Sequence, residues 1–252
     1  MSQTNPRIRL DILLVTRGLV SSRERARALI MEGKAIVDGI RVDKPGKEVL
    51  VSSLLEIKEC APYVSRGGLK LAAALDAFGI VPTGLTILDA GASTGGFTDC
   101  LLQRGAKRVI AIDVGYGQFH WKLRNDPRVR LIEKTNIRFI DVDDVGERVD
   151  AAVADLSFIS LKLVMKKFAQ ILPVEGWFVP LVKPQFEVGR SEVGKHGVVR
   201  KPEAIVSAVE SVKQAATNSG FTLLNQIESP IRGPKGNREF LLHLKLIAKI
   251  DF

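Results

Sequence analysis

Apolar positions recur at two different periods along the first 58 residues. In "RLDILLVTRGL" the leucines Leu10, Leu13 and Leu14 fall at helical spacing, and Gly18 ends the run. "SSRERARALIMEG" predicts a second helix, with Ser21 or Ser22 as N-cap, Gly33 as stop and Ala26, Leu29 and Ile30 as its core stripe. "KAIVDGIRVD" predicts two short strands around Asp38-Gly39, a dipeptide that tolerates the positive φ angles of a tight hairpin. The pattern predicts a small α+β unit over residues 1–58 and a linker, "ECAPYVSR", over residues 59–66.

From residue 67 the spacing describes a larger unit that continues to residue 252. Leu71, Leu75 and Phe78 share one face of a helix, and Lys70 lies about 100° of rotation off that face, beside alanines. Local physics gives Lys70 a buried stem and a wet ammonium. Apolar strands then follow in "LTILDAG", "RVIAIDV", "RVRLIEKTNI", "VDAAVADLSF" and "GWFVPLVKPQF", separated by helical segments. Such alternation predicts an α/β fold with a mostly parallel, doubly wound, Rossmann-like sheet. "PEAIVSAVESVKQAATNSG" reads as an amphipathic helix between Pro202 and Gly220. "FTLLNQIESP" and "REFLLHLKLIA" close the sheet, the last strand antiparallel, through the turn "IRGPKGN". No internal repeat or low-complexity segment interrupts this order.

Composition narrows the setting. The chain has 252 residues, 46% of them hydrophobic, enough for a mid-sized domain and a small companion. Its two cysteines, Cys60 and Cys100, offer no disulfide framework, which suits a reducing cytoplasm. No run approaches the ~20 apolar residues of a membrane span, and "MSQTNPRIRL" lacks the apolar centre of a signal peptide. The net charge of +9 favours a polyanionic partner. Seven cations, Arg7, Arg9, Arg17, Arg23, Arg25, Arg27 and Lys34, fall in the first 34 residues. Arg7, Arg9, Arg23, Arg27 and Lys34, with Arg66 in the linker, are the expected contacts to a nucleic acid. His120, His196 and His243 are scattered without metal-ligand spacing, so no metal is expected.

"ILDAGASTGGFT" sits where a strand turns into a helix. Gly91, Gly95 and Gly96 let the backbone approach a ligand, and the helix aims its free amides there. The spacing departs from the dinucleotide fingerprint G-x-G-x-x-G, and Asp89 ahead of the glycines suits the cationic amino-acid end of S-adenosylmethionine (SAM) better than a pyrophosphate. Asp113, at the end of the next strand, can take ribose hydroxyls, and Asn136, at the end of the third, can read an adenine. Asp155 and Lys183 end the fourth and fifth strands and face the same crevice. Glu239 reaches it only if the last strand runs reversed. The expected cofactor site is Asp89, Gly91, Ser93, Thr94, Gly95, Gly96, Phe97, Asp113, Asn136 and Asp155.

Two resemblances draw these features together. Residues 8–55, with "RLD", the Arg-rich helix after "SS", "EGK" and the hairpin, resemble the S-four-type RNA-binding domain. The whole chain resembles the TlyA family, in which such a domain precedes an FtsJ-like ribose 2′-O-methyltransferase domain. The motifs are "SRGGLKL", "LDAGASTGGFTDCLLQRGA", "ADLSFISL", "LVKPQFEVGR", "VGKHGVVR" and "SPIRGPKGNREFL". The resemblance implies a Lys-Asp-Lys-Glu tetrad at Lys70, Asp155, Lys183 and Glu239, SAM as cofactor, and cytidine of ribosomal RNA or ribosomal subunits as substrate.

The chemistry needs those residue types. A 2′-hydroxyl must lose its proton as it attacks the SAM methyl, and a lysine serves as base only when desolvation or a neighbouring cation favours its neutral form. Lys183 is the expected base. Asp155 and Lys70 are the orienting and tuning groups, and Glu239 positions Lys183 or the ribose. "DLSF" is not the Asn/Asp-Pro-Pro-aromatic strand end of base-amino methyltransferases, and neither cysteine sits in a Pro-Cys nucleophile motif. The basic, glycine-rich segment Val188–Glu203 is either a flap that closes on RNA or a plain connector. Members of the family are often called hemolysins, so a membrane-lysing protein is one alternative, and a non-catalytic ribosome assembly factor is another.

Overall fold

A computed structural model describes residues 6–58 and 62–250; Cys60 and the first part of the expected linker, residues 59–61, lie outside the described residues. Two compact units divide the chain, Met1–Ala61 and Pro62–Phe252.

In the first unit β1 (Arg7–Arg9) leads directly into α1 (Leu10–Thr16), followed by α2 (Arg23–Met31), β2 (Ala35–Val37), β3 (Ile40–Val42), β4 (Glu48–Leu50) and β5 (Leu55–Ile57). Of the two offered caps, Ser22 is used: its side chain accepts the Arg25 amide at 3.2 Å. The hairpin turns at Asp38 and Gly39, with φ of +50° and +79°, and pairs Val37 with Ile40. β2 is central to a three-stranded sheet, and β1 pairs with β4. Leu10, Leu13 and Leu14 of α1 meet Ala26 and Ile30 of α2 in one apolar cluster.

The second unit opens with α3 (Gly67–Phe78) and then alternates β6 (Thr86–Ala90), α4 (Gly96–Gln103), β7 (Arg108–Ile112), α5 (Trp121–Arg124), β8 (Val129–Ile132), α6 (Val142–Val145), β9 (Ala151–Ala154), α7 (Met165–Ile171) and β10 (Trp177–Val182). It closes with α8 (Pro184–Glu187), α9 (Pro202–Thr217), β11 (Phe221–Glu228) and β12 (Phe240–Leu246). Seven strands form one sheet in the order β11-β12-β10-β9-β6-β7-β8, in which β12 is antiparallel to both its neighbours.

The period of two along each strand feeds two apolar layers. Ile87, Val109, Val153 and Leu181 pack toward α3 and α4. Leu88, Ile110, Ala152 and Phe178 pack toward α7 and α9. With both faces covered, a strand must be apolar throughout, as "AAVA" in β9 is. Two predicted strands are shorter than their apolar runs. The third ends at Ile132, four residues before Asn136, and the fifth gives way at Lys183 to α8, where Pro184 cannot donate to the sheet.

Candidate active site

In an open α/β sheet, the carboxyl ends of the strands face the ligand crevice where the strand order reverses. Here the reversal lies between β6 and β9, where β6 has β7 on one side and β9 on the other. Asp155 follows β9, Lys183 follows β10 and Glu239 precedes β12, so all three leave the sheet at this edge. Reversal of β12 is what brings Glu239 there. Lys70 arrives from the first turns of α3.

These four side chains line a cavity of about 630 Å³ and form two ion pairs. Lys183 Nζ lies 2.6 Å from Asp155 Oδ1 and donates to Ser157 Oγ at 2.9 Å. Lys70 Nζ donates to Glu239 Oε2 at 2.5 Å. The second pair is the more enclosed, with side-chain exposures of 8% and 0% against 10% for Lys183 and 22% for Asp155. Two expectations need correction. The Lys70 ammonium is buried and paired rather than wet, because a carboxylate meets it inside the fold. Of the two roles expected of Glu239, positioning Lys183 or the ribose, the first is not seen: Glu239 contacts Lys70, and Lys183 pairs with Asp155 instead.

The glycine loop forms the adjoining wall. Gly91 has φ of +79°, and a Cβ there would stand 2.6 Å from the Asp155 carbonyl oxygen. Gly95 has φ of +95° and packs against Leu123 and Phe119 rather than lining the cavity. Gly91, Ser93, Thr94, Gly96, Phe97 and Asp155 of the expected cofactor set line it. Asp89, Gly95, Asp113 and Asn136 stand outside its walls.

Each of the three polar ones is accounted for. Asp89 accepts from Thr98 Oγ1 at 2.6 Å, while its Oδ1 is buried without a hydrogen-bond partner among the described residues. Burial pushes the Asp89 carboxyl up to about 7; the Thr98 hydrogen bond opposes this and the Asp155 charge adds to it. Asp113 accepts from the Ser93 amide at 2.7 Å, the Gly115 amide at 2.6 Å and Gln118 Nε2 at 3.0 Å, so its carboxylate is fixed at the strand end. Asn136 caps its own turn, accepting the Arg138 amide at 3.1 Å, because the strand ends before it.

Several lining residues are ones that the sequence does not single out. Ser157 stands two positions after Asp155, inside a motif whose signal is its aspartate. Phe158 is exposed, with φ of +63°, and its ring lies 5.3 Å from that of Phe186 at the cavity. Gln185 also lines this space, and its buried Oε1 has no hydrogen-bond partner among the described residues. Glu187 accepts from Ser160 Oγ at 2.5 Å and the Leu161 amide at 2.8 Å, tying the loop after β9 to α8; burial raises its pKa. Asn237 fastens the 188–203 segment, donating to Gly197 O at 2.8 Å and accepting the Val199 amide at 3.0 Å. That segment is therefore anchored near its middle, with Val193 and Gly197 reaching the cavity.

In the first unit, Asp11 is wholly buried and gathers two of the expected RNA contacts. Arg9 donates to both its oxygens at 3.0 Å, and Arg23 Nε donates to Oδ2 at 2.9 Å. Arg9 first, and Arg23 after it, hold the Asp11 carboxyl down at about 2. Arg7 and Arg27 are exposed, and Lys34 pairs with Glu32 at 2.9 Å. Arg66 lies in the second unit at the cavity, donating to the Arg232 carbonyl at 2.7 Å.

A seven-stranded sheet with one reversed strand and a glycine loop at the switch point defines the Rossmann-like methyltransferase class. Residues 63–246 match the FtsJ-like methyltransferase family and residues 8–55 match the S4 domain. The 16S/23S rRNA (cytidine-2'-O)-methyltransferase TlyA of Mycobacterium tuberculosis is 47% identical over 241 residues, covering 95% of this chain and 90% of that protein. Hemolysin A of Brachyspira hyodysenteriae is 39% identical over 238 residues, covering 94% and 99%. A solved structure from Streptococcus thermophilus, named as a candidate hemolysin, superposes with a TM-score of 0.73 at 43% identity, covering 98% of this chain and 90% of that one. The chain belongs to the FtsJ-like methyltransferase family, within the group that includes the TlyA proteins. No helix among the described residues is long and apolar enough to cross a membrane, and among them no cluster of His, Cys, Asp or Glu is suited to a metal ion.

Proposed function

We propose that this protein transfers a methyl group from SAM to a ribose 2′-hydroxyl of ribosomal RNA, at cytidine, in the cytoplasm. The carrying observation is the pair of lysine–carboxylate contacts, Lys183–Asp155 and Lys70–Glu239, on the walls of one cavity beside the glycine loop.

The residues present fit SAM. Gly91 packs tightly against the Asp155 backbone, where a Cβ would clash, and holds the loop in place, so that Ser93, Thr94, Gly96 and Phe97 on the cavity wall would hold the cofactor with Asp113 beside them. Asp89, buried with one oxygen unpartnered among the described residues, would offer that oxygen to the cofactor's amino-acid end from behind the loop. Bound SAM supplies an electrophilic methyl. The chain supplies the rest. Asp155 Oδ1 and Ser157 Oγ fix two directions of Lys183 Nζ, leaving the third for the 2′-hydroxyl, whose proton Lys183 takes. Lys70, locked by Glu239, contributes a fixed positive charge to the oxygen as it loses its proton. Phe158 and Phe186 offer aromatic faces to a nucleotide at the rim.

Residues 1–58 would anchor the RNA by phosphate contacts, residues 59–66 would link, and residues 67–252 would carry out the transfer. Labelled SAM incubated with purified ribosomal subunits, wild type beside Lys183→Ala, tests the reading. Label on a ribose 2′-oxygen that disappears in the variant supports it. Label on a base overturns the roles of the four residues. No transfer to either subunit despite RNA binding favours the assembly-factor alternative.

A further inference from the structure

Beside the catalytic cavity the second unit has another concavity, of about 410 Å³, and Lys235 lines both. Its charged walls are Arg200, Arg232, Lys235 and Arg238, and no acidic side chain of the described residues lines it. Asn237 builds the partition: its two hydrogen bonds clamp Gly197 and Val199 to the β11–β12 turn, and its side chain also faces the catalytic cavity.

Charge balance distinguishes this pocket from an ordinary solvated surface. Arg238 is neutralised, donating to Glu228 at 2.8 and 2.6 Å. Arg232 donates only to the Gly236 carbonyl of its own turn, at 3.3 Å. Among the described residues, Arg200 and Lys235 have neither an ion-pair nor a hydrogen-bond partner. Arg200 and Lys235, which meet no carboxylate, thus share one concavity with Arg232, whose charge Glu228 offsets through space, and such an excess of positive charge favours an entering anion. By contrast, Arg104, Arg108, Arg124 and Arg128 elsewhere in this unit each meet a carboxylate.

We infer that this concavity is a phosphate subsite, which takes backbone phosphodiesters of the RNA strand flanking the methylated nucleotide. The inference rests on reading the catalytic cavity as a ribose site. A ribose held at Lys183 carries a phosphodiester on each side, and one of them must leave the cavity across its rim. The wall at Lys235 leads that strand directly onto Arg200 and Arg232. Guanidinium groups suit the purpose, because their fork of donors matches phosphate oxygens. These contacts would set the path of the strand without reading its sequence.

The test uses the full chain and a labelled ribosomal RNA transcript, with binding measured by filter retention over a range of salt concentrations. An Arg200→Gln/Arg232→Gln variant should weaken binding and make the plot of log affinity against log salt shallower, by about 0.7 for each phosphate no longer neutralised. Its affinity for SAM without RNA should be unchanged, which also reports an intact fold. Arg200→Glu, at an exposed residue without a partner, repeats the test should the double variant lose SAM binding. An unchanged salt slope in both variants overturns the inference. Methyl found on a base, together with the shallower slope, removes the ribose reading and leaves a phosphate site. Methyl found on ribose with an unchanged slope removes the phosphate site alone.

Discussion

The two lysine–carboxylate pairs have the same chemistry in different surroundings. Lys70–Glu239 joins a helix to the reversed strand, and Glu239 is wholly enclosed. Lys183–Asp155 joins the ends of two adjacent parallel strands, keeps Asp155 partly open and adds Ser157. Enclosure makes the first pair a fixture: neither charge has water to fall back on, so each depends on the other. Openness leaves the second pair in contact with whatever enters the cavity, as its proposed role requires. One arrangement therefore divides into a brace and a working pair.

The strongest way to break that division is Lys183→Ala. Methyl transfer should fall by roughly 10²–10⁴-fold, the usual contribution of a positioned base, while the melting temperature and SAM affinity stay near the parent's. Glu239→Leu should do the opposite first. It strands a buried ammonium and should cost about 3–5 kcal/mol of stability, seen in chemical denaturation. Lys70→Met with Glu239→Leu should recover much of that stability without recovering activity, since an apolar pair can fill the space but cannot supply the charge. If the double variant also regains turnover, Lys70 is a brace and nothing more.

Asp155→Asn sharpens the comparison from the working side. It removes a charged contact worth about 1.5–3 kcal/mol, so kcat should drop roughly ten- to a hundred-fold with little change in melting temperature. Ser157→Ala removes a weaker contact of about 0.5–1.5 kcal/mol and should lower kcat only a few-fold. A separate, pH-dependent effect concerns Asp89, whose carboxyl is raised by burial to about 7 from an ordinary value of 3.8. The native state keeps this proton after the unfolded chain has released it, so its contribution to stability is full below about pH 4, declines toward pH 7 and is lost above that. Asp89→Asn should flatten this slope. Melting curves at pH 5 and pH 8 should show the variant gaining on the parent at the higher pH.

Much of this site was legible in the chain because strand ends are legible. Apolar runs ending at Asp113, Asp155 and Lys183 put those residues on one edge of a parallel sheet, and the glycines of "DAGASTGG" marked which edge mattered. The pairing of the lysines was not legible. Nothing in "GGLKL" says that Lys70 turns into the fold, and spacing cannot tell whether Glu239 meets Lys70 or Lys183. Asn136 is misplaced by the sequence pattern for a related reason: "RVRLIEKTNI" ends in another core residue, Ile137, but its strand stops at Ile132 and the chain reaches Ile137 through a turn. Asp11 escapes notice because an acid beside arginines reads as a solvated surface, whereas the fold buries it completely. In each case the missing information was tertiary, a choice among partners far apart in sequence.

Timing follows from the reversal of β12. It pairs between β10 and β11, and of the described strands it is the last to be synthesised. A nascent chain that has emerged only as far as residue 238 already contains the glycine loop, Asp155 and Lys183, yet its sheet has a vacant lane and Lys70 has no carboxylate. On the proposed roles of these residues, such a chain would not transfer methyl until this strand pairs. On the same roles, β12, more than the strand end that carries Lys183, would decide when the site is complete.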